Sequence, residues 1–493
     1  MFSTLHPLDL WVIVVYLAAI TLFGLALRRP SASLNDYFLA SGQLPWWAIS
    51  FSIVAAETSV LTIISTPGLG FGGNLGFLQL VLGYLVARVM ISLILIPAYF
   101  RRRLLTAYQL IETRFGVRLK NAAGLIFLIG RSLAEGVRLF AVAIVVGVIV
   151  EALPPGWKPL VAHIGGTAGV LALIIALTLV YTFEGGLRAV VWTDFIQICI
   201  YLTAAGLSLV LLLRALPGGW STVTAIAAGN GHKLAIFDFH FSFTDTYTFW
   251  SGLFGGTFLT MATHGTDQLM VQRLLAARNQ RESTRALLAS WLVILLQFSL
   301  FLVIGVALFA FYRVHALTLP AAAIGRYDRL YPEFVARQLP AGIAGLTLAA
   351  ILAASMSNLS AALNALSSSA VVDFYQPWFA PRQTQRHYLW ASRLATVFFL
   401  GVLVAVAYLS RHSHSVLESG LAIISYPFSA LLGVFLLGTL TRRANQTGAM
   451  AGLIVGIAAT LWLGHIGVAY TWFVVAGTLT TFAVGYLVSV LTT

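Results

Sequence analysis

The chain has 493 residues, of which 59% are hydrophobic and 9% are charged, and its mean hydropathy is +0.91. Because a soluble domain has about 25% charged residues, this composition excludes an ordinary soluble protein and indicates a polytopic membrane protein. The net charge of +13 does not indicate nucleic-acid binding, since the arginines lie in short loops between apolar runs and no nucleic-acid-binding module is visible. With one cysteine, Cys199, no intramolecular disulfide is possible.

Apolar runs of roughly twenty residues, the length that a helix needs to cross a bilayer, recur along the chain. We predict about thirteen spans, at 8–27, 46–66, 77–100, 121–150, 164–183, 190–213, 248–270, 286–312, 341–371, 389–409, 417–439, 446–466 and 471–491. Arginines fall on alternate loops, which predicts an N-terminus outside and a C-terminus inside. The loops are too short for a separate domain, so we expect one transmembrane domain over 1–493.

The stretch from Trp46 to Gly73 is apolar, yet its middle carries Glu57 and a group of hydroxyl side chains. A carboxylate at bilayer depth is costly and normally faces a partner or an aqueous cavity. The hydroxyl residues are Thr58, Ser59, Thr62, Ser65 and Thr66, and they are followed by Pro67, Gly68, Gly70, Gly72 and Gly73. We predict a spanning helix with a polar face that breaks at this proline and these glycines, although hydroxyls in membrane helices often only bond their own turn.

Two further stretches place charged residues inside spans. Between Tyr181 and Gln197, the pair Gly185-Gly186 predicts a break and Asp194 lies at the start of the next span. Between Thr260 and Arg273, His264 and Asp267 flank Gly265 near the inner end of a span. A single histidine in such a place favours a structural role over a proton relay, and no His, Cys and Glu spacing indicates a metal centre.

A polar row follows one face of the helix predicted at 341–371. It consists of Ser357, Ser360, Asn364 and Ser367, which recur at helical spacing. The small residues between them also favour a tight helix–helix seam. The alternative is a weakly held hard cation, because hydroxyl and amide oxygens are the ligands that such cations prefer.

Three charges lie in the apolar run 121–150, where Arg131, Glu135 and Arg138 share one side of a helix. They are compatible with a salt-bridge cluster that pins helices together. They are also compatible with a fixed cation for an anionic substrate group, since arginine binds carboxylates with a planar fork. No nucleophile elbow, phosphate-binding loop or dinucleotide motif is present, so we do not expect an enzyme.

Together these stretches resemble the sodium:solute symporter family. The opening segment 8–68, with its DYFLA and LPWW pieces, is similar to the family's N-terminal signature. GGLRAVVWTDFIQ, GTDQLMVQR and GLTLAAILAASMSNLSAALNALSSSAVVDFY follow in the family's order. The resemblance implies an all-α LeuT-type fold of two inverted five-helix repeats, here 46–213 and 248–439, with a leading helix at 8–27 and trailing helices at 446–491. The broken first helices, near 46–66 and 248–270, would meet near the bilayer centre.

The same resemblance implies sodium sites. The main site corresponds to Ala55, Thr58, Ala354, Ser357 and Asn358, with backbone carbonyls from the first broken helix. Asn358 departs from the family pattern, which usually has Ser or Thr there. A second site would use Asp194, Ser357 and Ser360, but Ala361 stands where a hydroxyl is wanted, so we expect one sodium ion per cycle.

For the solute, the resemblance implies contacts from Glu57, Ser59, Thr62, Gln79, Arg131, Thr260 and Thr263. Glu57 falls where proline transporters of the family carry an important aspartate. Arg131 or Arg138 lies where its acidic-sugar transporters place a carboxylate-binding arginine.

We therefore expect sodium-coupled symport of a small polar organic solute in the inner (plasma) membrane by alternating access. Amino acids, organic acids and acidic sugars are the candidate solutes, because Arg131 or Arg138 would pair with a carboxylate. We expect no nucleic-acid partner and no required oligomer. The alternatives are coupling by a proton on Glu57 or Asp194, transport of a neutral sugar, and a membrane enzyme or sensor.

Overall fold

The computed structural model of the protein describes residues 4–26, 39–40, 43–101, 104, 106–317, 327–410 and 416–492, and only the backbone of Leu25 and of 181–186. Part of the DYFLA signature, residues 36–38, lies outside the described residues, as do the loop arginines Arg28, Arg29, Arg102, Arg103 and Arg326.

The described part is built from helices, which confirms the predicted all-α class. In chain order they are α1 Pro7–Ala26, α2 Trp46–Glu57, α3 Val60–Gly72, α4 Leu78–Phe100, α5 Tyr108–Phe115, α6 Val117–Glu151, α7 Lys158–His163, α8 Gly166–Arg214, α9 Trp220–Gly229, α10 Gly256–Gly265, α11 Gln268–Leu275, α12 Gln280–Val314, α13 Leu330–Gln338, α14 Ile343–Ser369, α15 Gln385–Leu409, α16 Val416–Leu440, α17 Gln446–His465 and α18 Tyr470–Leu491. A short 3-10 turn, Tyr327–Arg329, precedes α13, and a π-helical turn, Ala370–Tyr375, continues α14 towards the three-residue helix Gln376–Trp378.

Every predicted span overlaps one of these helices. Among the described residues, ten helices are long and apolar enough to cross a bilayer, and the bent pair α2 and α3 raises the number to eleven. The count of thirteen spans, the orientation of the termini and the boundaries of the repeats stay predictions.

The predicted break at Gly185-Gly186 is wrong, because α8 is helical without interruption through both glycines. A glycine inside a helix costs only about 1 kcal/mol relative to alanine. An interrupted helix in a bilayer would instead leave backbone N–H and C=O groups without partners. The backbone therefore stays helical there.

The first broken helix does break, but not at the proline. Its two halves, α2 and α3, are bent by 63° at Thr58 and Ser59, which have extended backbone. Pro67 lies inside α3, which continues to Gly72. The glycines that follow Pro67 serve close packing, since a Cβ on Gly70 would lie 2.3 Å from the carbonyl oxygen of Leu302 on α12.

The second helix that the resemblance implies to be broken is also interrupted. A π-helical turn, Ser251–Gly255, leads into α10, which ends at Gly265. The chain is extended at Asp267 and then enters α11. Asp267 caps that helix, because its side chain accepts a hydrogen bond of 2.9 Å from the backbone N–H of Leu269.

Helix α14 lies at the centre of the molecule, since every residue from Thr347 to Ser369 is buried. The leading helix α1 contacts the N-terminus of α14. One carboxylate oxygen of Asp9 accepts from the backbone N–H groups of Gly342 and Gly345, at 2.7 and 2.8 Å. A Cβ on Gly345 would lie 2.6 Å from the Asp9 backbone, so this approach needs glycine. The anionic side chain satisfies backbone donors that the first turn of α14 cannot pair internally.

Candidate functional site

A cavity of about 80 Å³ lies where the two broken helices meet α4, α6 and α16. Six of the seven residues predicted to face the solute line it, namely Glu57, Ser59, Thr62, Arg131, Thr260 and Thr263. Apolar side chains complete the wall, among them Phe77, Phe298 and Leu417. A small apolar chamber with a few convergent polar groups is typical of a site for a small solute.

Gln79 is the predicted solute contact that the structure places elsewhere. Its side-chain amide donates to the carbonyl of Tyr247 at 3.0 Å and accepts from the backbone N–H of Asp238 at 2.9 Å. Both partners belong to the loop between α9 and α10, so Gln79 fastens that loop to the start of α4. It is not among the residues that line the cavity.

One charged cluster at the cavity joins both broken helices to α4. The carboxylate of Glu57, at the end of α2, lies 2.5 Å from Nη2 of Arg88 on α4. The same carboxylate lies 3.2 Å from Nε2 of His264 on α10. His264 in turn contacts the hydroxyl of Thr263 through Nδ1. This supports the structural interpretation of His264, as a group that holds Glu57 in place.

The sequence-based predictions assign no role to Arg88. It is fully buried, and Nε also donates to the hydroxyl of Ser290 at 3.1 Å. The sequence does contain a signal for such a role, because Arg88 is the one charged residue in the apolar run 77–100. A lone arginine at bilayer depth implies a partner.

A second cluster contains the three charges of α6. Arg131 lies 2.8 Å from Asp267, at the break before α11, and 2.5 Å from Glu135. Arg138 lies 2.7 Å from the same oxygen of Glu135. The predicted salt-bridge cluster is therefore formed, and Asp267 extends it to the second broken helix.

The two arginines differ in how far their charge is compensated. Arg131 has two carboxylate partners, is 3% exposed, and has no hydrogen-bond partner for Nε among the described residues. Arg138 shares Glu135 with it, keeps 19% of its side chain exposed and also lines the cavity. Arg138 is therefore the arginine more open to a solute.

Four of the five residues predicted for the main sodium site, Ala55, Thr58, Ala354 and Asn358, meet at the break between α2 and α3. The hydroxyl of the fifth, Ser357, donates to the carboxylate of Asp194 instead. The carbonyl oxygens of Ala55 and Thr58, at the end of α2, and that of Ala354, on α14, all lie within 3.1 Å of Nδ2 of Asn358. Three carbonyl oxygens around one point form the oxygen-rich environment that a hard cation prefers. The hydroxyl of Thr58 points elsewhere and donates to Gln297 on α12 at 2.9 Å.

The predicted second sodium site is centred on Asp194, which is fully buried on α8. Its carboxylate accepts from the hydroxyls of Ser52 and Ser357, and Nη2 of Arg273 lies 3.3 Å away. Arg273 also donates through Nε to the Ser52 hydroxyl at 2.9 Å. A cation at Asp194 would have to compete with this guanidinium, which supports the expectation of a single sodium ion.

Ser360, the other residue predicted for that second site, is fully buried on the same helix as Ser357. Further along the predicted polar row, Ser367 donates to the carbonyl of Asn364. That contact within α14 supports the helix-seam interpretation for the part of the row nearer the C-terminal end of the helix.

Comparisons with known proteins agree with this architecture. The sodium/sialic acid symporter NanT of Aliivibrio fischeri is 30% identical over 497 residues, which cover 99% of this chain and 93% of that protein. The sodium/sialic acid symporter SiaT of Proteus mirabilis is 28% identical and covers 90% of this chain and 87% of its own length. A solved structure of a Na+-coupled sialic acid symporter in a substrate-bound outward-open state has a TM-score of 0.86 at 25% identity, over 99% of this chain and 98% of that chain.

The solved structures that match are LeuT-fold transporters, which agrees with the two interrupted helices seen here. The family model for the sodium:solute symporter family matches residues 37–456, which include both broken helices, the two charged clusters and the carbonyls around Asn358. The chain therefore belongs to the sodium:solute symporter family.

Proposed function

We propose that the solute carried with sodium is a small polar molecule with a carboxylate group, and that Arg138 binds this carboxylate. Membership of the family makes the protein a sodium-coupled symporter of an organic solute and not an enzyme. The proposal adds the chemical class of the solute, the residues that bind it and the inner (plasma) membrane as its location.

The observation that carries the proposal is the position of Arg138. Arg138 lines the cavity, and its one carboxylate partner among the described residues, Glu135, is shared with Arg131. An arginine that shares one carboxylate with a second arginine retains donors for another anion. The relatives NanT and SiaT are named as sialic acid symporters, and a sialic acid is a sugar that carries a carboxylate.

The charges around the cavity support the coupling to sodium. Three arginines, Arg88, Arg131 and Arg138, face three carboxylates, those of Glu57, Glu135 and Asp267. The formal charges of these six groups cancel. A carboxylate solute alone would leave one negative charge in excess at bilayer depth, whereas a carboxylate with one sodium ion preserves the balance.

The break between α2 and α3 connects the two sites. The carbonyls proposed for sodium belong to Ala55 and Thr58, and the residues on either side of Thr58, Glu57 and Ser59, line the solute cavity. A sodium ion that orders this break therefore orders the wall of the solute site. Each ligand raises the affinity for the other, which is the thermodynamic requirement for coupled alternating access.

Proton coupling is less well supported. Glu57 and Asp194, the two candidate proton carriers, are ion-paired with Arg88 and Arg273 respectively. Protonation of either carboxylate would leave a buried arginine without its counter-charge, which is costly.

The test is uptake into proteoliposomes driven by a sodium gradient, after a thermal-shift screen with and without sodium. The screen contains a sialic acid, proline, lactate and glucose. A solute that binds only the folded protein raises its apparent stability. The solute identified is then competed with its own acid and amide forms. We expect the acid to compete at least about tenfold better than the amide, because an arginine that loses its anion is left unpaired.

Arg138→Gln should abolish the preference for the acid, whereas Arg131→Gln should mainly lower the yield of folded protein. The matched control is Arg278→Gln, since Arg278 is 59% exposed and makes only a loose contact of 4.0 Å with Glu282. Equal competition by acid and amide in the unmodified protein would refute the carboxylate class. An unchanged preference in Arg138→Gln would refute the role of Arg138. Uptake that follows a proton gradient without sodium would favour the proton-coupled alternative.

A further inference from the structure

The side-chain amide of Asn358 is placed where the main sodium site is proposed. Its Nδ2 group donates to the carbonyls of Ala55 at 3.1 Å, Thr58 at 2.8 Å and Ala354 at 3.1 Å. Its Oδ1 atom is buried and has no hydrogen-bond partner among the described residues. The amide therefore directs its positive end at three carbonyls and leaves its negative end unpaired.

We infer that this amide group competes with the sodium ion for the three carbonyls, and that sodium binding rotates the amide by a half-turn. In the orientation observed, the two N–H bonds are shared among the three carbonyls that sodium would coordinate. When sodium binds, a half-turn about the Cβ–Cγ axis removes Nδ2 from these carbonyls and brings Oδ1 to the ion as a ligand. The inference rests on the proposed position of the sodium site, and it adds a specificity-determining residue to it.

The half-turn is sterically inexpensive. The oxygen and the NH2 group of an asparagine are close in size, and rotation about its second side-chain torsion is broad and roughly two-fold. The two orientations differ in electrostatics, because one presents donors to the three carbonyls and the other presents a further acceptor. Four acceptors facing one another repel unless a cation lies between them, so the orientation follows the presence of the ion.

A small cavity next to Asn358 offers a place for a water molecule. Asn358 lines a small cavity of about 20 Å³ together with Ser59 and Ser355. A space of this size accommodates one water molecule. Because a water molecule both donates and accepts, it can pair with Oδ1 in one orientation and with Nδ2 in the other.

The arrangement has a consequence for the transport cycle. A sodium-coupled carrier must return without its ion, and the carbonyls at a helix break would then lack a partner at bilayer depth. The Asn358 amide supplies donors for this step. The family's usual Ser or Thr at this position has one hydroxyl donor, so it competes less with sodium and satisfies the empty break less completely. We therefore expect Asn358 to weaken sodium binding and to assist the return of the empty carrier.

The experiment compares the unmodified protein with Asn358→Ser and Asn358→Asp, both of which remove the NH2 group and retain an oxygen. The matched control is Asn121→Ser on α6, since Asn121 also has a buried side-chain oxygen without a partner among the described residues. The first readout is thermal stabilisation by sodium chloride against choline chloride in detergent, without any solute. This readout reports sodium binding alone, so it does not depend on the solute class proposed above.

We expect the sodium concentration for half-maximal stabilisation to fall at least fivefold in Asn358→Ser and further in Asn358→Asp, with no change in Asn121→Ser. The second readout separates the steps of transport in proteoliposomes. Net sodium-driven uptake should fall at least threefold in Asn358→Ser, whereas solute exchange with sodium on both sides should persist, because exchange does not require the empty carrier to return.

An unchanged or raised half-maximal sodium concentration in both variants would overturn the inference, because the amide would then be neutral or a favourable ligand. Equal losses of net uptake and of exchange would overturn the role in the return step. If neither sodium nor these substitutions affected stability, the failure would lie in the proposed position of the sodium site. If Asn358→Ser does not fold, Asn358→Thr decides by the same criteria, because it also removes the NH2 group and, unlike Asn358→Asp, adds no charge.

Discussion

Arg88 and Glu57 provide the sharpest test of how the cavity is held together. Replacing Arg88 by methionine keeps much of the apolar stem and removes the guanidinium 2.5 Å from Glu57. Loss of one partner from a buried ion pair costs about 3–5 kcal/mol, because the other charge is left uncompensated. Glu57 is 11% exposed and retains His264 at 3.2 Å, so we expect the lower end of this range, about 3 kcal/mol.

The assay is thermal unfolding of the purified protein in detergent, followed by intrinsic fluorescence. For a chain of 493 residues, about 3 kcal/mol corresponds to a decrease in Tm of about 3 °C. The double variant Arg88→Met/Glu57→Gln should recover at least about 1.5 kcal/mol of the loss, since it no longer buries an unpaired charge. Arg278→Met is the control, because its exposed contact of 4.0 Å with Glu282 should contribute about 0–1 kcal/mol.

Two results would refute this reasoning. Arg88→Met could be no less stable than Arg278→Met, in which case water reaches Glu57 and replaces the guanidinium. Alternatively, the loss of unfolding free energy in the double variant could equal the sum of the losses in Arg88→Met and Glu57→Gln, in which case Arg88 and Glu57 do not interact.

Two more predictions concern the polar centre of α14 and α8. Ser357→Ala should raise the sodium concentration for half-maximal uptake about fivefold, by roughly 1 kcal/mol, with little change in expression. The reason is that Ser357 precedes Asn358 in the proposed site and its hydroxyl donates to Asp194. An unchanged half-maximal concentration would remove Ser357 from the site. Asp194→Asn should slow transport and lower the stability by about 3 kcal/mol, because it leaves Arg273 buried without its carboxylate, yet it should leave a measurable thermal response to sodium. A complete loss of that response would show that Asp194 belongs to the dominant sodium site.

Much of the fold and of the cavity lining could be predicted from the sequence, for one physical reason. Polar side chains are costly in a bilayer, so those that occur inside apolar runs mark cavities and ion paths. Glu57, Ser59 and Thr260 were identified in this way or by resemblance, and all three line the cavity.

The pairing of the charges could not be predicted in the same way. Arg131 and Asp267 are 136 positions apart, and their contact depends on how α6 is rotated against the second broken helix. Gln79 shows the same limit, since a loop that carries no strong sequence signal occupies its amide.

The position of the first break was also beyond local sequence rules. Pro67 and its glycines are stronger helix breakers than Thr58 and Ser59, yet α3 continues through Pro67. The break at Thr58 is stabilised from a distance of 300 positions, by Asn358 on α14. Tertiary contacts of this kind override local propensity, and no periodicity in the sequence reports them.

The contact between Asp9 and the start of α14 bears on how this transporter can be simplified by protein engineering. The helix α1 lies outside both predicted repeats and would be removed first in the design of a minimal carrier. Its carboxylate, however, holds two backbone amides at the N-terminus of the helix that carries Ala354, Ser357 and Asn358. A shortened carrier would leave the positive end of that helix without this carboxylate and free its first turn, about three turns from the Ala354 carbonyl proposed for sodium. The leading helix therefore supports the helix that contributes to the proposed sodium site, and we expect a shortened carrier to need a replacement cap at the start of α14.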